Sequence, residues 1–206
     1  MSRLIHRYNA GARLNHWVVA FAFVLAGLSG LAFFHPSFYF FTNLFGGGAW
    51  TRILHPFLGV LMFVGFLGLF FRFRKDNRSE PGDKAWRQNM GKLLRGDKSG
   101  MPRVGKYNAG QKRVFWLMSF SLLVLLVTGV MFWRPWFVPY FPVEAMRIAV
   151  LVHAIAAVVL VLTVIVHVYA AIWVKGTMRA MTRGTVTEGW AKLNHPAWHE
   201  EVTRGR

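Results

Sequence analysis

The chain has 206 residues, 54% of them hydrophobic and only 16% charged, a balance too apolar for an ordinary soluble domain of this length. Its formal charge of +17 raises the question of nucleic acid, but the basic residues are confined to particular segments, which marks membrane topology and excludes a nucleic-acid surface as the main reading. With no cysteine, disulfides and thiolate-held metal clusters are excluded.

A bilayer core takes roughly 20 helical residues. Four runs without Asp, Glu, Lys or Arg answer that need: 17–34, 53–71, 114–133 and 148–174. The first follows three arginines, as a secretion signal does, but it is longer than the usual apolar core of one and is expected to remain as a helix. One basic residue, Arg52, stands between spans one and two, while the 72–113 segment carries 13. Two more lie between spans three and four, and six follow Val174. Alternate compartments therefore hold 22 of the 25 Lys and Arg, so the positive-inside rule puts both termini and 72–113 in the cytoplasm. Trp50, Trp133, Trp136 and Tyr140 lie near the outer span ends, where amphipathic rings favour the interface.

Within 72–113, AWRQNMGKLLRG spaces Trp86, Met90, Leu93 and Leu94 close to a helical period, predicting a short amphipathic helix at the inner surface. The tail beyond Gly176, with WAKLNHPAWHEE, reads as a small cytoplasmic extension that contacts a partner. No internal repeat stands out. The expected fold is an all-α integral membrane protein, a four-transmembrane-helix bundle forming one domain over 1–206.

Eight histidines are present. His6, His195 and His199 fall in the tails, where solvation is the default, and His35 is interfacial. His16, His55, His153 and His167 lie in or at the ends of spans, where ionisable groups are costly and face the bundle interior. His153 and His167 enclose thirteen residues that are apolar except for Thr163. Fourteen steps of ~100° bring both imidazoles to nearly the same helix face, ~21 Å apart along the axis. By depth, His55 then matches His153 near the outer side, and His16 matches His167 near the inner side. Two stacked b-type haems need two such pairs, since neutral imidazole ligates haem iron and bundle cofactors sit between facing helices. With no cysteine, these haems are held non-covalently. Interhelical hydrogen bonding is the alternative for any single membrane histidine. A proton relay needs a chain of exchangeable groups, where only Thr163 lies between His153 and His167, and a metal transporter lacks mid-membrane carboxylates. Gly27, Gly30, Gly59, Gly65 and Gly129 suit either macrocycle clearance or close helix packing.

Several stretches resemble the cytochrome b (gamma) subunit of respiratory formate dehydrogenase, especially the formate dehydrogenase-N type. They are HW at 16–17, RILHPFLG at 52–59, VGKYNAGQK at 104–112, LLVTGVMFWRPWF at 125–137, YFP at 140–142, the His153 to His167 segment with VYAAIWVKG, and WAKLNHPAW at 190–198. The resemblance implies a subunit that carries two haems b and passes electrons from an iron–sulfur beta subunit to menaquinone or another quinone. It implies His55 and His153 on the outer haem, His16 and His167 on the inner one, and a quinone beside His167 with Asn108, Gly110 and Gln111. On the residues alone, 104–112 reads equally well as a turn with Asn108 capping the next helix. Formate oxidation itself is implied to belong to a molybdenum or tungsten alpha subunit on the periplasmic side of a bacterial inner membrane, with a trimer of heterotrimers possible. The alternatives are the cytochrome b subunit of a nickel–iron hydrogenase or a related oxidoreductase, or a haem-free anchor or transporter.

Overall fold

Asn9 sets the start of the first long helix: its side-chain oxygen accepts from the Ala12 amide at 2.8 Å, satisfying a donor that the first turn leaves open. The computed structural model describes residues 3–97, 99–134 and 136–204. Lys98 of the basic segment and Pro135 of the 125–137 stretch lie outside the described residues.

Among the described residues, four helices are long and apolar enough to cross a membrane: α1 (Ala10–Phe34), α2 (Gly48–Phe73), α5 (Ala109–Met131) and α6 (Val143–Trp173). Their mean hydropathies are 2.2, 2.2, 2.3 and 3.0. Each begins five to seven residues before the predicted apolar run, because helical hydrogen bonding continues through Arg13, Arg52, Lys112 and Arg147. Long basic side chains at a helix end reach the interface and so do not stop the helix. At its other end α5 stops at Met131, two residues short of the predicted span, and Trp133 belongs to the following turn. Between α1 and α2 the chain makes a 3₁₀ segment, Pro36–Phe45, which His35 caps by accepting from the Ser37 amide at 3.2 Å. Pro56 sits inside α2 directly after His55; it lacks an N–H, so one backbone hydrogen bond is missing from that turn.

The chain forms two compact units. One comprises 14–70 and 117–165, the greater part of the four long helices. Its core is a single cluster drawn from all four: Ala22 and Ala26 of α1, Met62 and Phe66 of α2, Leu122 of α5 and Leu160 of α6. The outward faces remain apolar, with Phe21, Val24, Leu61, Phe120 and Ile155 exposed. This is the pattern of a bundle solvated by lipid, where association relies on close packing. Gly65 and Gly68 supply such packing, for a Cβ at either would stand 2.9 Å from Val19 Cγ2 or 2.6 Å from Asn15 Nδ2.

The other unit comprises residues up to Arg13, Phe71–Trp116 and the chain from Val166. It contains α3 (Gly82–Gln88), α4 (Met90–Leu94), α7 (Thr177–Arg183), α8 (Glu188–Asn194) and α9 (Pro196–Thr203). Strand β1 (Leu4–His6) pairs antiparallel with β2 (Thr185–Thr187), setting Ile5 opposite Val186. The apolar pattern predicts no strands, and this small sheet is an addition to the helical fold. Ile5, Ala180, Val186, Trp190, Ala191 and Trp198 form the core beside it. The C-terminal tail is thus a folded element. The helix expected around Trp86 is present but broken at Asn89, and of its apolar residues only Trp86 is buried.

Candidate functional site

His55 of α2 and His153 of α6, matched by depth in the sequence, come together in the four-helix unit. Their ring centres lie 6.3 Å apart, with the planes inclined at 68°. Each imidazole is held by a hydroxyl from the preceding long helix: Ser29 Oγ lies 2.9 Å from His55 Nδ1, and Thr128 Oγ1 lies 2.9 Å from His153 Nδ1. Beside each hydroxyl is a glycine. A Cβ at Gly30 would stand 3.2 Å from His55 Cε1, and one at Gly129 would stand 3.3 Å from His153 Cε1. The same device therefore occurs twice, a hydroxyl–glycine pair on one helix receiving a histidine from the next. Ser29 and Thr128 escape a search for titratable groups; the readable signal is SG and TG, with the hydroxyl 26 and 25 residues before a histidine. Of the remaining glycines noted in the sequence, Gly65 serves helix packing, while a Cβ at Gly27 or Gly59 would meet no packed neighbour within 4 Å among the described residues.

His16 lies on α1 in the four-helix unit, its ring edge-on to Trp17 at 5.3 Å between centres. His167 lies on α6 within the other unit.

In that second unit the 104–111 loop is fixed from outside. Three successive carbonyls accept from distant segments: Val104 from the Ala197 amide at 3.1 Å, Gly105 from His195 Nδ1 at 2.8 Å, and Lys106 from Arg7 Nη2 at 2.5 Å. Arg7 is buried, and its guanidinium lies over the rings of Tyr8, Tyr107, Trp190 and Trp198 at 4.5 to 5.7 Å. Stacked cation–π contacts of this kind favour the planar guanidinium. His195, expected in solvent, is 2% exposed, and His199 is also buried. Apolar packing of Trp190 and Trp198 carries them inward with the tail. Burial, aided by the Arg7 charge, lowers the His195 pKa to about 4. Tyr8 donates to the Tyr107 hydroxyl at 3.0 Å; burial and this neighbour push the Tyr107 pKa well above 10, so its phenol stays protonated.

Asn108 and Gln111 cap α5 reciprocally. The Asn108 side-chain oxygen accepts from the Gln111 amide, and the Gln111 side-chain oxygen accepts from the Asn108 amide, both at 2.9 Å. Gly110 gives room to the Trp86 ring, whose Cη2 would lie 2.9 Å from a Cβ there. Behind this turn the buried Lys112 ammonium is held by Asp83 at 3.2 Å and Glu80 at 3.0 Å.

The family profile described as prokaryotic cytochrome b561 matches residues 7–184. The cytochrome b556(fdo) subunit of formate dehydrogenase from Escherichia coli K12 is 46% identical over 200 residues, covering 97% of this chain and 94% of the relative. The chain belongs to this cytochrome b family. The nitrate-inducible cytochrome b556(Fdn) subunit from the same organism is 41% identical over 203 residues, covering 98% of this chain and 94% of the relative. The formate dehydrogenase cytochrome b556 subunit of Haemophilus influenzae is 39% identical over 197 residues, covering 96% and 83%.

A cytochrome b carries haem b, and the residues around His55 and His153 fit that group. Two imidazoles that would hold one haem iron between them, at metal–nitrogen distances of about 2 Å, would have ring centres about 6 Å apart. The observed 6.3 Å agrees. Engagement of both Nδ1 atoms leaves both Nε2 atoms for ligation, and the two glycines let the rings lie close against neighbouring helices.

Proposed function

We propose that this cytochrome b is the dihaem membrane subunit of a formate dehydrogenase complex, carrying electrons from an iron–sulfur partner to a quinone, with menaquinone the expected acceptor. The observation that carries the reading is the approach of His55 and His153, each with its Nδ1 engaged, in a chain alike to b556 subunits over nearly its whole length. Haem b, when bound, supplies one-electron transfer.

His55 and His153 hold the outer haem in this reading. His16 and His167 hold the inner one, an assignment supported by their matched depth in the sequence. The quinone lies beside His167, with Asn108, Gly110 and Gln111 as its contacts. The capping pair uses both amide oxygens of Asn108 and Gln111, while their NH₂ groups take no part in it and have the chemistry to donate to a quinone oxygen. With both termini and the 72–113 segment in the cytoplasm, protons for the quinone come from that side. Formate oxidation lies in a molybdenum or tungsten subunit on the periplasmic face of the inner membrane, and the heterotrimer itself assembles in threes.

The test is redox titration of the purified complex, with a pyridine haemochrome assay for haem content. Wild type is expected to show two haems b; replacing His55 or His153 perturbs one centre, and replacing His16 or His167 perturbs the other. If His55 and His167 report on the same haem, the pairing is wrong. Absence of protohaem from the wild-type complex overturns the redox reading, and copurification with a hydrogenase large subunit overturns the formate assignment.

A further inference from the structure

Ser29 and Thr128 each have one hydroxyl proton, and the helix already takes it. Ser29 Oγ donates to the Ala26 carbonyl at 3.0 Å, and Thr128 Oγ1 donates to the Val124 carbonyl at 2.6 Å. Toward the histidines, at 2.9 Å in both cases, these oxygens have only lone pairs to present. With the hydroxyl protons on these carbonyls, the imidazoles are the donors and both carry their proton on Nδ1. An imidazole protonated at Nδ1 has its remaining lone pair on Nε2, the atom a metal takes.

Resting on the haem reading above, we infer that Ser29 and Thr128 are positioning residues that hold His55 and His153 in the Nδ1–H tautomer and set the strength of both haem ligands. Ser29 is fully buried and Thr128 is 7% exposed, so water does not replace them as acceptors. Acceptance from Nδ1–H raises the basicity of Nε2 and stabilises ferric over ferrous iron. A hydroxyl shared with a backbone carbonyl does so more weakly than a carboxylate, which places the centre between a free histidine and a carboxylate-backed one. Gly30 and Gly129 complete the device by letting each ring reach its hydroxyl.

The test uses the membrane complex carrying Ser29→Ala, Thr128→Val or Thr128→Ser. Thr128→Val keeps the side-chain volume, so helix packing survives while the acceptor is lost. In both Ser29→Ala and Thr128→Val, the midpoint potential of one and the same haem is expected to rise while the other holds. The low-spin ferric electron paramagnetic resonance signal of that haem shifts, and its dissociation in detergent accelerates roughly 10–100-fold. Thr128→Ser keeps the oxygen and restores all three readouts. Haem present in wild type, with potential and spectrum indifferent to both substitutions, overturns this inference alone. A wild-type complex without haem overturns the reading beneath it as well.

Discussion

Acidification should loosen the C-terminal tail through His195. Its Nδ1–H donates to the Gly105 carbonyl at 2.8 Å, its ring lies 5.0 Å from that of Trp190, and the Arg7 guanidinium stands over the same tryptophan at 5.1 Å. Protonation would add a second buried cation to this cluster. The folded pKa is about 4, against an ordinary 6.5, because burial disfavours the charged ring and Arg7 adds repulsion. Between these values the unfolded tail binds a proton that the folded tail refuses, so the stabilisation is complete above 6.5 and declines as pH falls toward 4. At ~1.4 kcal/mol per pKa unit, the loss is about 2 kcal/mol at pH 5 and about 3 kcal/mol at the end of the window. Glu188 does not confuse the signal, since Lys192 and His199 hold its carboxyl below its ordinary 4.5. Hydrogen exchange of residues 185–203, corrected for the intrinsic pH dependence, should show opening roughly 30-fold more frequent at pH 5 than at pH 7.5. His195→Gln keeps a donor for Gly105 and should remove the dependence. Flat protection from pH 7.5 to 4.5 in the wild type, or an equal decline in His195→Gln, would refute the reasoning.

Asn108→Ala removes half of the reciprocal cap and should cost about 1 kcal/mol, read as faster exchange in the first turn of α5. Gln111→Glu keeps an acceptor for the cap but loses the NH₂ donor, so formate-driven quinone reduction should fall at least about tenfold while both haems remain reducible. Normal quinone turnover in that variant would confine Gln111 to capping. Gly110→Ala drives a methyl into the Trp86 ring and should destabilise the unit that contains both by roughly 1–3 kcal/mol in thermal unfolding of the complex. Lys112→Met strands the buried Asp83 carboxylate and should cost roughly 3 kcal/mol, visible as lost protection across α3.

The long helices are legible because lipid imposes a length and a composition that few other environments demand. Their ends are less so: an apolar count halts at Arg13 or Arg113, whereas the helix halts where capping and backbone geometry require. His55 and His153 are legible as partners because depth follows from topology. Ser29 and Thr128 are not, since a hydroxyl in an apolar helix normally bonds only to its own backbone, and its second role exists only once another helix arrives. Strands β1 and β2 have three residues each and are separated by nearly the whole chain, too short for a period-2 pattern to register.

The loop at 104–111 shows why a motif can be recognised without its conformation being readable. Extended backbone with free carbonyls is unstable on its own, and the carbonyls of Val104, Gly105 and Lys106 take their donors from outside GKYNAGQK. Their donors are Ala197 and His195 from the tail and Arg7 from the N-terminal segment, about 90 or more residues away. These bonds orient the peptide leading into Asn108, and the reciprocal cap then fixes both side-chain amides relative to the axis of α5. The WAKLNHPAW tail therefore holds the backbone that leads into the proposed quinone donors, through Ala197 on Val104 and His195 on Gly105. For the same reason the GKYNAGQK and WAKLNHPAW stretches constrain one another: a change at Trp198 that lets Arg7 turn away releases Lys106, and the cap follows.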